Sequence, residues 1–155
     1  MGKYDKIITS KEQYAGELNP IEALIALGTI QIFADGKPSE EEIEMLSAYM
    51  EGAELTDTKA VEACSEKIYS ILQESGSLGG LFNTAIEALP EDFAEDAVTL
   101  AVLMAEADGE LAKEEVQYVG ALGKRLGYSQ AELKEIIEAV LEEIYSEEEE
   151  EEEEV

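Results

Sequence analysis

The chain has no histidine, no tryptophan and a single cysteine. Without histidine there is no imidazole acid–base chemistry and no histidine metal ligand. A single thiol, Cys64, excludes an internal disulfide and fits a reducing compartment. It keeps helical register with Val61, Ile68 and Ile71 and reads as a buried structural thiol. Basic residues are also few: 10 Lys and Arg stand against 38 Asp and Glu, a formal net charge of −28. A field of that sign repels phosphate backbones and anionic membrane surfaces, and it attracts divalent cations and basic proteins. Nucleic acid and direct membrane insertion are therefore excluded. The N-terminal stretch MGKYDKIITSKEQY lacks the apolar centre of a signal peptide. The longest apolar run, Ile21 to Ala34, is interrupted by Glu22 and Gln31 and falls short of the roughly 20 residues a membrane span needs. A soluble, cytoplasmic protein is expected.

Strand alternation is missing too, so no sheet is expected. What is present is helix. Asn19-Pro20 is an N-cap followed by proline at the first helical position, and it opens IEALIALGTIQIFA. That helix is apolar almost all round and should be central. Asp35-Gly36 ends it, and Ser39 with Glu42 forms a capping box for a helix bearing Ile43, Leu46 and Met50. Thr56 or Asp57 caps a third helix, with Val61, Cys64, Ile68, Ile71 and Leu72 at helical spacing. ESGSLGG is the clearest break, and a short helix, Leu81 to Leu89, follows it. After Pro90, EDFAEDAVTLAVLMAEA is a second apolar helix that stops at Asp108-Gly109. Then come a helix with Val116, Val119, Leu122 and Leu126, a Gly127 cap, and a Ser129–Glu132 capping box opening the last helix.

The order repeats, over about 20–74 and 91–146. Each half exposes an apolar face it cannot bury alone. The expectation is one all-α bundle of about seven helices, residues 1–146, built from two pseudo-symmetric repeats. Leu24, Leu27, Ile30, Leu100, Leu103, Val119 and Ile137 should be buried in it. Residues 147–155, with eight consecutive glutamates from Glu147 to Glu154, read as a disordered tail.

The repeated turns carry the chemistry. IFADGKPSEEEI and AEADGELAKEEV share Ala-Asp-Gly and a later Glu-Glu, at an offset of 73 residues from Asp35 to Asp108. Asp108, Gly109, Leu111 and Glu115 match the last part of a calcium-binding EF-hand loop. Its first ligand position would be Met104, and in the first repeat Gln31, so neither turn is a complete loop of that kind. Each turn offers half a site instead, one Asp ending a helix and one Glu in the first turn of the next. Asp35, Glu42, Asp108 and Glu115 together would give four carboxylates, enough with water for a hard cation. The competing reading is simple: Asp-Gly ends helices, and acidic residues suit helix starts. From spacing alone the two stay open.

These stretches, with the continuation LGKRLGYSQAELKEII, resemble the TerB-like tellurite-resistance family, over roughly Pro20 to Ile144. The resemblance implies an all-helical bundle of two pseudo-symmetric halves with an acidic cluster associated with divalent metal. It carries the metal role to Asp35, Glu42, Asp108 and Glu115, with Glu41 and Glu114 as neighbours that could substitute. Pro38 departs from the pattern, standing where an aliphatic residue is usual, and the glutamate tail is not part of it. The implied role is metal or oxyanion stress response in company with protein partners, with no known reaction.

Three functions compete. One is a divalent-cation-binding module that docks partner proteins, with calcium or magnesium favoured over zinc because softer ligands are missing. Another is a metal-dependent hydrolase-like enzyme, for which Gln31, Lys37 and Lys113 are the few polar candidates near the turns. The third is a metal-free acidic interaction protein. The sequence offers no nucleophile–base pair and no cofactor motif, so binding is favoured over catalysis.

Overall fold

The structure is a computed structural model that describes residues 5–13, 17–34, 40–52, 54, 58–75, 77–106 and 113–153. Within these, side chains are described except at 5, 40, 41, 58, 75, 113, 114 and 145–153. The described residues are all-helical. In chain order the α-helices are α1 (Asp5–Ile8), α2 (Pro20–Ala34), α3 (Glu40–Gly52), α4 (Thr58–Ser75), α5 (Leu78–Ala88), α6 (Ala94–Glu106), α7 (Lys113–Arg125) and α8 (Gln130–Glu153), with a 3-10 turn at Glu91–Phe93. The helix beyond the seven expected is α1, a single turn too short to leave a periodic signal. Among the described residues there is no strand, and no helix is long and apolar enough to cross a membrane. The last helix, α8, takes in the backbone of most of the glutamate run.

The organising element is α2. Every residue from Glu22 to Ile32 is buried, so this helix has no solvent face. α4, α5 and α6 pack around it. A helix wrapped on all sides must satisfy its polar side chains internally. Thr29 Oγ1 donates back to the Ile25 carbonyl at 2.8 Å. Gln31 Nε2 reaches across to the Ala101 carbonyl of α6 at 2.9 Å. Glu22 closes a reciprocal cap with Asn19: the Asn19 N–H donates to Glu22 Oε1 at 2.9 Å, and the Glu22 N–H donates to Asn19 Oδ1 at 2.8 Å. Lys67 Nζ of α4 meets the other Glu22 oxygen at 2.7 Å.

α2 and α6 pack against one another, as their apolar character predicts. Close approach here depends on Gly28: a Cβ at that position would lie 2.8 Å from Leu46 Cδ1 of α3 and 3.5 Å from Leu100 Cδ2 of α6. Leu24, Leu27, Ile30, Leu100 and Val119 are buried as expected, whereas Leu103 and Ile137 are half-buried at the margin of the core. Cys64 is half-buried too, not enclosed, and burial followed by the Glu22 charge pushes its thiol pKa up. The Ser129–Glu132 box forms, with N–H to oxygen distances of 3.1 and 3.2 Å. At the end of α7, Gly127 takes φ +96°, and Tyr128 and Gly127 donate to the carbonyls of Gly123 and Lys124 at 3.0 and 3.1 Å. That left-handed cap is the reason the chain turns here into α8.

A polar clamp holds the N-terminal segment. Asn83, buried in α5, donates through Nδ2 to the carbonyls of Ser10 and Glu12, both at 2.9 Å. Its Oδ1 accepts from Arg125 Nη1 of α7 at 2.8 Å. The sequence signal was an Asn in the middle of an otherwise apolar helix.

Two measurements check this core. Gly28→Val should cost about 1–3 kcal/mol by chemical denaturation, because Leu46 is enclosed and cannot swing away, and overpacking outweighs the few tenths gained in helix propensity. An unchanged midpoint would show the crossing to be loose. Glu22 has its pKa lowered: burial raises it, but the Asn19 N–H and the Lys67 ammonium more than offset that. A depressed carboxylate stabilises above its unfolded pKa and loses that contribution as pH falls through the folded one. The stability gap between the natural chain and Glu22→Gln should therefore be full near pH 7 and close as the pH falls through and below the usual carboxylate range. A gap that widened on acidification would contradict the ion pair.

Candidate metal centre

The helices that follow the two acidic turns share an unusual first turn. Glu42 is 3% exposed and its neighbour Ile43 is 41% exposed. Glu115 is 5% exposed and its neighbour Val116 is 44% exposed. The amphipathic reading of the sequence placed Ile43 and Val116 on the apolar faces, so those two assignments are corrected. In α7 the buried side takes in Glu115, Tyr118, Val119 and Leu122, and Val116 lies at its margin. In α3 it takes in Glu42, Leu46, Met50 and the half-buried Tyr49, and Ile43 lies at its margin. Both aliphatics keep helical register with buried residues, so periodicity alone does not reveal their exposure. At both equivalent places the acid faces inward and the aliphatic outward.

A buried carboxylate is expensive unless something compensates its charge. Glu115 Oε2 is screened from solvent, and both glutamates have interaction partners. Asp35 and Asp108 lie outside the described residues, as do the side chains of Glu41, Glu114, Lys37 and Lys113 and the Ser39 half of the first capping box. Among the described residues no three Cys, Asp or Glu converge to hold a metal ion. Gln31, a candidate for positioning a substrate, is instead buried and bonded to the Ala101 carbonyl.

Two contacts fix how α3 runs against α6. Tyr49 Oη, late in α3, donates to Asp96 Oδ1, early in α6, at 2.7 Å. Leu46, one turn earlier in α3, and Leu100, one turn later in α6, both pack on Gly28. α3 therefore runs antiparallel to α6. On the other side, Tyr118 Oη of α7 makes a long hydrogen bond, 3.4 Å, to the Leu27 carbonyl of α2, and its ring packs on Phe82 at 5.6 Å. Sequence reasoning missed Tyr49 and Tyr118 as the residues that set these registers. Their hydroxyls, one pointing at an acid and one at a main-chain carbonyl, leave no periodic trace.

A family model described as "Tellurite resistance protein TerB" matches residues 21–139. No curated protein and no solved structure matches the chain.

The inverted first turns give a direct check. Ile43→Lys and Val116→Lys should each leave stability within about 0.5 kcal/mol, as for ordinary surface changes, while Val119→Lys should cost several kcal/mol. Urea denaturation of the three variants decides it. A large loss for Ile43→Lys or Val116→Lys would mean that those aliphatics, not the acids, face the core.

Proposed function

The chain belongs to the tellurite resistance protein TerB family, and we propose that it is an acidic helical module that binds one divalent cation and acts in metal or oxyanion stress response through protein partners. The proposed ligands are Asp35, Glu42, Asp108 and Glu115. The observation that carries this reading is the burial of Glu42 and Glu115 at equivalent first-turn positions whose aliphatic neighbours are exposed. Glu22 is a capping acid that is buried, and its charge is met by Lys67. A cation shared by carboxylates would supply that compensation at Glu42 and Glu115, and enclosure would strengthen its attraction to them.

The helix directions support a shared site. With α3 antiparallel to α6, Glu42 points towards the C-terminal end of α6, beyond which Asp108 follows. The Tyr118–Leu27 contact brings α7 to α2 at one point, and the mirrored arrangement, with Glu115 towards the end of α2, is proposed by analogy with α3 and α6. A pseudo-two-fold relation between the halves is part of the same proposal. All four donors are hard oxygens, which favours calcium or magnesium over zinc. Bound there, the ion would neutralise carboxylates that otherwise repel one another. The bond from Gln31 to the Ala101 carbonyl removes a substrate-positioning group from the hydrolase-like alternative. A cytoplasmic location belongs to this proposal as well, resting on the acidic charge and the lone thiol.

Cation binding should stabilise the fold by mass action. At a hundredfold excess over Kd the gain is about 2.7 kcal/mol, roughly 5–10 °C in melting temperature for a chain of this size. Calcium or magnesium added to chelator-treated protein should produce that rise. Glu42→Gln combined with Glu115→Gln should abolish it while helical content is retained, and should raise the melting temperature in chelator by relieving repulsion. Glu142→Gln, on the exposed face of α8, should leave the rise intact. If neither ion shifts the melting temperature, the chain is a metal-free acidic interaction protein.

A further inference from the structure

α3, α6 and α8 enclose an open groove of about 420 Å³. Its walls are Ala48 and Tyr49 of α3, Leu103 of α6, and Val140, Glu143 and Ile144 of α8. The floor is mainly apolar, with Thr99 of α6 its polar member. Ala48 is exposed, and Leu103 and Ile144 are only half-buried. The charges around it are of one sign. Tyr49 donates to Asp96 at one end, and Glu95 lies close enough to act on the same hydroxyl. Glu143 stands at the other end. Among the described residues no Lys or Arg lines the groove.

We propose that this groove docks a cationic amphipathic helix of a partner protein, its apolar stripe on Ala48, Leu103, Val140 and Ile144 and its Lys or Arg side chains on the acidic rim of Glu95, Asp96 and Glu143. The physical reason is complementarity of two kinds. Apolar side chains gain from leaving water in a concave, partly exposed floor. Cations flanking them meet acids on both sides, which sets orientation and speeds encounter. A helix presents the two together, with apolar residues at three- and four-residue spacing and cations beside them. An acidic or purely apolar partner would satisfy only one face of this arrangement. The inference rests on the partner half of the reading above and not on its cation half.

The test uses the full chain and a synthetic leucine–lysine amphipathic helix carrying a fluorophore. Its comparators are a lysine–glycine–serine peptide of equal charge and a leucine–glutamate helix. By fluorescence anisotropy the leucine–lysine helix should bind at least about tenfold more tightly than either comparator. Ala48→Arg, which fills the exposed floor with a bulky cation, should weaken binding about tenfold with the melting curve unchanged. The proposal is overturned if Ala48→Arg binds as well as the natural chain, or if the peptide without leucines binds equally well, since the attraction is then bulk charge alone. It is also overturned if the chain self-associates in sedimentation and Ala48→Arg renders it monomeric, since the groove then belongs to a second copy. A cation-dependent melting shift that persists while peptide binding fails removes the groove alone, and the converse removes the cation site alone.

Discussion

A helix with no solvent face imposes conditions on everything around it. From Glu22 to Ile32 the second helix is closed in on every side. Each of its polar groups must therefore be matched by a neighbour: Thr29 by its own backbone, Gln31 by the Ala101 carbonyl, Glu22 by Asn19 and Lys67. These bonds tie α2 to α4 and α6 at fixed heights. Gly28 lets α3 and α6 come close at one level. With those heights set, the ends of α2 and α6 and the starts of α3 and α7 have little freedom of their own. In the sequence the acidic turns follow α2 and α6 directly, and a rigid support is what the proposed metal site needs if its ligands are to be held in place.

The first turns of α3 and α7 show the cost of that placement. Burying a carboxylate and exposing the neighbouring Ile or Val is unfavourable by hydrophobic accounting alone. One such inversion could be an accident of packing. Two, at positions related by the sequence offset, favour a common purpose. The same logic separates these glutamates from Glu132. That residue caps α8 from the exposed surface, where its carboxylate accepts the Ser129 N–H, lowering its pKa. Glu22, a capping acid that is buried, has its charge met by Lys67.

Much of the helical plan was legible in the sequence because helix signals are local. The Asn19-Pro20 start, the Ser129–Glu132 box and the Gly127 stop each act within a few residues, and the structure has all three. All-round apolarity identified α2 as central. Margins were less legible. Leu103 and Ile137 have the right periodicity, but depth in a bundle depends on what the neighbouring helix covers. Ile43 and Val116 were misassigned for a sharper reason: a hydrophobic pattern assumes that aliphatics face inward, and here the adjacent acid takes that place. The register bonds of Tyr49 and Tyr118 join residues 47 and 91 positions apart, beyond the reach of any local pattern.

The central claim is that one cation is shared by carboxylates from both halves. The most direct measurement is a crystal structure of the manganese-soaked protein with anomalous scattering recorded at the manganese edge. One strong peak is expected, bonded to oxygens of Asp35, Glu42, Asp108 and Glu115 at roughly the octahedral metal–oxygen distances of small divalent ions, about 2.0–2.3 Å. Two Asp-Gly turns at opposite ends of the bundle, with no peak between Glu42 and Glu115, would contradict it.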